Sequence, residues 1–241
     1  MIFGYSAAQV RAAEAPLLAA GVPLMQRAAA GLAREVRALV GRDDARVVLL
    51  VGTGNNGADA LFAGAILADA GADVTIVRTG DRVHGEGLAA ALGAGAHEAG
   101  PAVDAGSAAG AGSGSGAPDG IARLVSSADV VVDGILGTGT SAHPALRGTA
   151  RDLVSAIIAA ESATPVVAVD IPSGIDPDDG SVPDPCVLRA TVTVTFGGYK
   201  AGLLVAPANG YAGEVRLVDI GLGEQLTAME PLVRFGRLSD R

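Results

Sequence analysis

The sequence predicts an α/β protein: a Rossmann-like, doubly wound, mostly parallel sheet with helices on both faces and an N-terminal helical extension. Three observations predict it. Short all-apolar runs at 47–51, 130–132 and 166–169 alternate with longer amphipathic runs, the pattern of parallel strands covered on both faces by crossover helices. Gly52-x-Gly54-x-x-Gly57 comes after the first of these runs and precedes an Ala-rich helical stretch, where a dinucleotide-binding turn sits. The chain has 241 residues, 49% apolar and 18% charged, which suits one domain with a full core.

Residues 1–40 read as two helices. Ser6 can cap the first, with Val10, Ala13, Leu17 and Leu18 on its apolar face, and Gly21 and Pro23 separate it from a second over 24–40. Next come a strand at 47–51, a helix at 60–70, a strand at 74–77 and a weaker helix at 85–92. Residues 96–119, rich in Gly, Ala and Ser without periodicity, read as a flexible surface loop. Beyond it come an apolar run at 121–125, a strand at 130–132, a helix at 146–160, a strand at 166–169, and two further apolar runs at 190–196 and 213–218. Residues 222–241 read as a tail, so the expected organisation is a single domain over 1–241.

Composition excludes several roles. A net charge of −9 disfavours general binding to nucleic acid or anionic membrane. No uncharged apolar run approaches roughly 18 residues, so no membrane span is expected. The N-terminus shows no basic segment leading into an apolar one, so a cytoplasmic location is expected. The single cysteine, Cys186, fits a reducing compartment and is expected to be inert.

In doubly wound sheets ligands collect beyond the carboxyl ends of the strands. Three strand ends each deliver an aspartate and a glycine-bearing turn there: Gly54-Asn55-Asn56-Gly57-Ala58-Asp59, then Asp133-Gly134 running on to Gly137-Thr138-Gly139, then Asp170-Ile171-Pro172-Ser173-Gly174. One aspartate after a strand is commonly a helix cap; three converging on one crevice suggest a site. His84, His97 and His143 are scattered, so a soft-metal site is not expected. Asn56, Asp133 and Ser173 offer the oxygens that a hard cation requires. Arg78 reads as a solvated surface side chain. Lys200 is a weaker candidate for facing the crevice.

Taken together, Asn55-Asn56-Gly57-Ala58-Asp59, Val169-Asp170-Ile171-Pro172-Ser173-Gly174 and Thr195-Phe196-Gly197-x-x-Lys200-x-Gly202-Leu203 resemble the NAD(P)H-hydrate epimerase family. The similarity extends to Leu24-Met25-x-Arg27-Ala28 and to Tyr211-Ala212-Gly213-Glu214-Val215 with Asp219-Ile220-Gly221. The resemblance implies an isomerase of cofactor repair. It would interconvert the R and S forms of NADH or NADPH hydrated across the nicotinamide 5,6 double bond, so that a partner dehydratase can restore both. It implies one potassium ion per subunit, held by Asn56, Asp133 and Ser173, and a homodimer, for which Leu17, Leu18, Leu24 and Met25 offer an apolar surface. Substrate contacts are implied for Asn55, Asn56, Gly57, Ala58, Asp59, Gly137, Thr138, Gly139, Thr140, Ser141, Ala142, His143 and Asp170. Chemically, expelling the C6 hydroxyl leaves a cation delocalised onto N1, and water returns on the other face. Asp170 is the expected catalytic group, a general acid in departure and a general base in return.

The chain departs from the family pattern at Ala58, where glycine is usual, at Gln26, where glutamate is frequent, and over 140–148, which match loosely. Two rival readings stand beside the epimerase. An NAD(P)-dependent oxidoreductase would need an acid/base pair such as Tyr199-Lys200, whose side chains point apart if that segment is extended. A non-catalytic nucleotide-binding or scaffold protein would be expected to have lost part of the polar set.

Overall fold

The computed structural model describes residues 1–99, 117–140 and 143–236. Seven strands form one parallel sheet. In chain order they are β2 (Arg46–Val51), β3 (Asp73–Arg78), β4 (His97–Glu98), β5 (Val130–Gly134), β6 (Val166–Val169), β7 (Val192–Phe196) and β9 (Glu214–Val218). Their spatial order is β4-β3-β2-β5-β6-β7-β9. From β2 the chain winds outward through β3 to β4, then returns to β5 on the other side and winds outward again. The winding therefore reverses between β2 and β5, and a crevice opens there beyond the strands' carboxyl ends.

The pleat sorts alternate side chains of β2 to opposite faces. Val47, Leu49 and Val51 pack with α2 (Leu24–Val40), α3 (Asn55–Asp69) and α4 (Gly85–Gly93), whereas Val48 and Leu50 pack with α5 (Ala117–Ser127) and α6 (Gly148–Ala159). This three-layer arrangement is the one expected from the sequence. Two boundaries differ. Residues 97–98, expected in a loop, pair with β3 as an edge strand, and 117–119, also expected in that loop, open α5. The rest of that stretch, 100–116, lies outside the described residues.

A second, smaller sheet was not anticipated. β1 (Ile2–Tyr5) pairs in parallel with β8 (Tyr199–Lys200) and antiparallel with β10 (Val233–Phe235). Residues 222–236 are accordingly not a loose tail, since they also contain the short helix α7 (Gly223–Thr227). The small sheet fixes α1 (Ala7–Ala19), which leaves β1 through a capping box made by Ser6 and Gln9. Asp178 accepts from the Ala7 amide at 2.6 Å, and Gln9 Nε2 donates to the Glu230 carbonyl at 2.6 Å. α1 is thereby held at the mouth of the crevice. Among the described residues, no helix is long and apolar enough to cross a membrane.

Candidate active site

A cleft of about 470 Å³ opens at the reversal point between β2 and β5. Its walls come from α1 (Arg11, Glu14), the start of α3 (Asn55, Asn56, Asp59), the segment after β5 (Gly137, Thr138, Gly139), Asp170 after β6, and Lys200 of β8.

The Asn-Asn-Gly-Ala-Asp segment is not a loop. Gly54 is the N-cap of α3 with no side-chain cap, and Asn55 begins the helix. The first amides of α3 therefore have no internal partner at the cleft wall. Ala58 is right-handed helix and fully buried, so the methyl that replaces the family's glycine meets no positive-φ penalty. Gly57 does need to be glycine, because a Cβ there would lie 2.2 Å from the Gly52 carbonyl oxygen.

Two polar clusters emerge. The first lies beneath the cleft floor. Asp133, 1% exposed, accepts from the Ser173 amide at 2.9 Å, the Ser173 hydroxyl at 2.6 Å and the Ile135 amide at 3.3 Å. Burial raises its pKa, opposed by the Ser173 hydroxyl and amide and the Ile135 amide. No cationic side chain among the described residues neutralises it, which is unusual for a buried carboxylate. Ser173 Oγ also accepts from the Leu136 amide at 2.8 Å, and Asn56 Nδ2 donates to the Leu136 carbonyl at 3.2 Å and to the Val169 carbonyl. Asn56, Asp133 and Ser173 are thus assembled around the ends of β5 and β6. An uncompensated buried anion among hydroxyl and amide groups fits a hard, low-charge cation. Among the described residues, no group of three or more His, Cys, Asp and Glu could hold a metal.

The second cluster faces the cleft. Asp170 has φ +67°, rare for a residue with a side chain. Its Oδ1 is gripped from one side: it is ion-paired with Lys200 Nζ and accepts from Thr195 Oγ1 at 3.1 Å and the Phe196 amide at 3.2 Å. Lys200, 1% exposed, also donates to the Phe196 carbonyl at 2.9 Å and to Thr195 Oγ1 at 3.2 Å. Asp170 Oδ2 has no partner among the described residues, so it is the oxygen left for a ligand. Asp59 is 7% exposed with its carboxyl oxygens open to the cleft, and the group makes no hydrogen bond or ion pair with any described residue. Burial holds its pKa well above the usual carboxylate range, with Asp170 and Glu14 adding to the rise and Lys200 opposing it. Glu14 is also raised, by burial first, then pulled down by Lys200 and Arg11 and up by Asp170. Arg11 donates to the Thr138 carbonyl at 3.1 Å and so ties α1 to the segment after β5.

Of the expected contacts, Asn55, Asn56, Asp59, Gly137, Thr138, Gly139 and Asp170 line the cleft. Gly57 and Ala58 are buried behind it, and His143 is exposed and off its wall. Thr140 closes a short 3₁₀ turn; Ser141 and Ala142 lie outside the described residues. Leu24 belongs to the core and Leu17 packs against it, while Leu18, Leu24 and Met25 also line the cleft. Arg78 is half-exposed and pairs with Glu98 at 2.8 Å, as expected of a surface side chain. Sequence reasoning missed Arg11 and Glu14 and underrated Lys200. A signal for Lys200 was present: it is the only lysine in the chain.

Fold and site define a doubly wound, small-molecule-binding protein whose cleft is lined by carboxylates. More particularly, residues 21–202 match the family described as YjeF-related protein N-terminus, and the chain belongs to that family. It is 51% identical to an NAD(P)H-hydrate epimerase of Clavibacter michiganensis subsp. michiganensis over 97% of this chain and 96% of that protein. It is 42% identical to the bifunctional NAD(P)H-hydrate repair enzyme Nnr of Mycobacterium tuberculosis, covering 90% of this chain and 41% of that longer protein. The crystal structure of yeast ynu0 (YNL200c) superimposes with a TM-score of 0.67 at 18% identity, covering 89% of this chain and 86% of that one, which supports the fold.

Proposed function

We propose that this protein is an NAD(P)H-hydrate epimerase, an isomerase that interconverts the R and S forms of hydrated NADH and NADPH. The observation that carries the reading is Asp170: a carboxylate locked through one oxygen by Lys200, Thr195 and the Phe196 amide, with the other oxygen free at the cleft. This is how a proton-transfer group is positioned. Its geometry is fixed from behind, and its working oxygen has no competing partner among the described residues.

When the C6 hydroxyl departs, nitrogen N1 takes up the positive charge, and the carboxylates of the cleft are suited to stabilise it. Asp170 Oδ2 then accepts a proton from water adding to C6 on the opposite face. Such transfer is typically worth ~10²–10⁴-fold. Arg11, an exposed cation at the cleft mouth, is placed to meet the phosphates of the dinucleotide. The oxidoreductase alternative loses its acid/base pair, because Lys200 is buried in the Asp170 ion pair while Tyr199 lies outside the cleft wall.

Asn56, Asp133 and Ser173 would hold one potassium ion, which when bound would neutralise Asp133 and stiffen the strand ends that carry Leu136 and Asp170. A homodimer, a cytoplasmic location and functional partnership with an NAD(P)H-hydrate dehydratase complete the proposal. The homodimer rests on family resemblance, since among the four apolar side chains considered for it Leu24 is buried in this chain's own core; sedimentation tests it. The direct test of the function is R/S interconversion monitored by NMR or chiral chromatography, with and without potassium. Wild type should accelerate it, Asp170→Asn should lose roughly 10²-fold or more in kcat while still folding, and full activity in that variant would remove Asp170 from the mechanism.

A further inference from the structure

Asp170 supplies only half of the proton traffic. While it is the carboxylate of the ion pair with Lys200 it can accept a proton but not give one, so the departing hydroxyl must then be served by another group. Inversion at C6 needs a donor when the C–O bond breaks and an acceptor when the new one forms.

We propose that Asp59 is the second proton-transfer group of the site, so that epimerisation runs between two carboxyl groups carried by different elements, α3 and the turn after β6. This inference rests on the epimerase reading above. Asp59 is more than nine-tenths buried, lines the cleft, and has no hydrogen-bonding or ionic partner among the described residues. Its carboxyl oxygens are not sealed in the core but open onto the cleft, where a ligand can reach them, whereas the neighbouring Asp170 is held by three protein donors and Asp133 beneath the floor is served by two residues. The groups facing Asp59 are Asp170, Glu14 from α1 and Lys200 from β8. Two of these are anionic, and the one cation is committed to Asp170. Burial and these neighbours favour the protonated form of Asp59, the form that can donate.

The step balances. The Asp59 carboxyl proton passes to the C6 hydroxyl oxygen, the C6–O bond breaks with its electron pair leaving as water, and the ring cation forms at C6 and N1. Water adds to the other face, a C6–O bond forms, and the surplus proton goes to Asp170 Oδ2. The enzyme then holds its proton on Asp170 instead of Asp59, which is the form suited to the opposite epimer. Solvent exchange returns the first form.

The test compares wild type, Asp59→Asn and Asp59→Glu in both epimerisation directions over about pH 5–9. Wild type should show a rate that falls at alkaline pH in both directions, as the single proton carried by the Asp59 and Asp170 pair is lost. Asp59→Asn should lose at least ~10²-fold in kcat with KM changed less than about threefold, and should lose the alkaline limb; Asp59→Glu should regain part of both. A kcat loss below about threefold, or a loss carried by KM with the alkaline limb intact, overturns the proposal, the latter marking a binding role. Should Asp59→Asn fail to fold, Glu14→Gln decides: removing that negative charge should move the wild-type alkaline limb to lower pH, and an unmoved limb overturns the proposal. Wild type that interconverts nothing above the spontaneous rate overturns the epimerase reading itself, and this proposal with it.

Discussion

Two polar clusters lie close together at the strand ends and are built on opposite principles. Beneath the floor, Asp133 has its acceptor sites served by Ser173 and Ile135, and Ser173 and Asn56 are in turn bonded to the backbone around Leu136. On the cleft wall, Asp170 keeps one oxygen free and Asp59 keeps its whole carboxyl group unpartnered among the described residues. The first arrangement stabilises a strand end. The second withholds satisfaction that a ligand can supply, at a cost in stability. Hydrogen bonding is dense in the cluster proposed to hold the cation and sparse in the one proposed to react.

The largest effect should come from breaking the link that anchors Asp170. Lys200→Met leaves Asp170 buried without its counter-ion and should cost about 3–5 kcal/mol in denaturant unfolding, with activity lost. Lys200→Met combined with Asp170→Leu should recover much of the stability and none of the activity, as expected if the pair serves function more than folding. Next, Asp133→Asn turns an acceptor of the Ser173 amide into a donor and should cost about 1–3 kcal/mol. It should also abolish any rise in Tm that potassium gives wild type, whereas a folded Arg11→Ala protein should keep that rise.

A smaller effect separates the clusters by pH. Asp59 holds its proton more tightly when folded than when unfolded, because burial raises its pKa above the ordinary carboxylate value. Folded protein therefore binds more protons, and this contribution to stability is fully present below the unfolded pKa and is lost as pH rises through the folded one. Asp59→Asn should be more stable than wild type at pH 8, with the gain shrinking toward pH 4, as read from paired thermal melts. The smallest expected change is in Arg11→Ala: KM for the hydrated cofactor should rise severalfold, the difference shrinking at high salt, with kcat little altered.

Much of this was legible in the sequence, for a physical reason. Parallel strands buried on both faces announce themselves as all-apolar runs, and the residues just after each run lie at the site by topology; hence Asp133, Asp170, Ser173 and Asn56 could be named. The hidden features depend on long-range pairing. The orientation of Lys200 is set by a two-residue strand pairing with β1, where Tyr5 lies opposite Lys200. Glu14 and Arg11 reach the cleft because β1 and the Glu230 carbonyl position α1, and neither contact has a local signature. The residues 222–236 look like a tail because β10 is a three-residue edge strand whose partner lies at the opposite end of the chain. Ala58 looks like a defect only while its segment is read as a loop; as the fourth residue of α3 it is ordinary.

The most direct test traces the oxygen. R-hydrate carrying oxygen-18 in its C6 hydroxyl, incubated with wild type in unlabelled water, is resolved by chiral chromatography and weighed by mass spectrometry. If two carboxyl groups expel the hydroxyl and readmit water, every inversion loses the label, and S-hydrate appears unlabelled from the first turnover. S-hydrate that forms with its label retained, or no inversion above the spontaneous rate, contradicts the two-carboxyl mechanism.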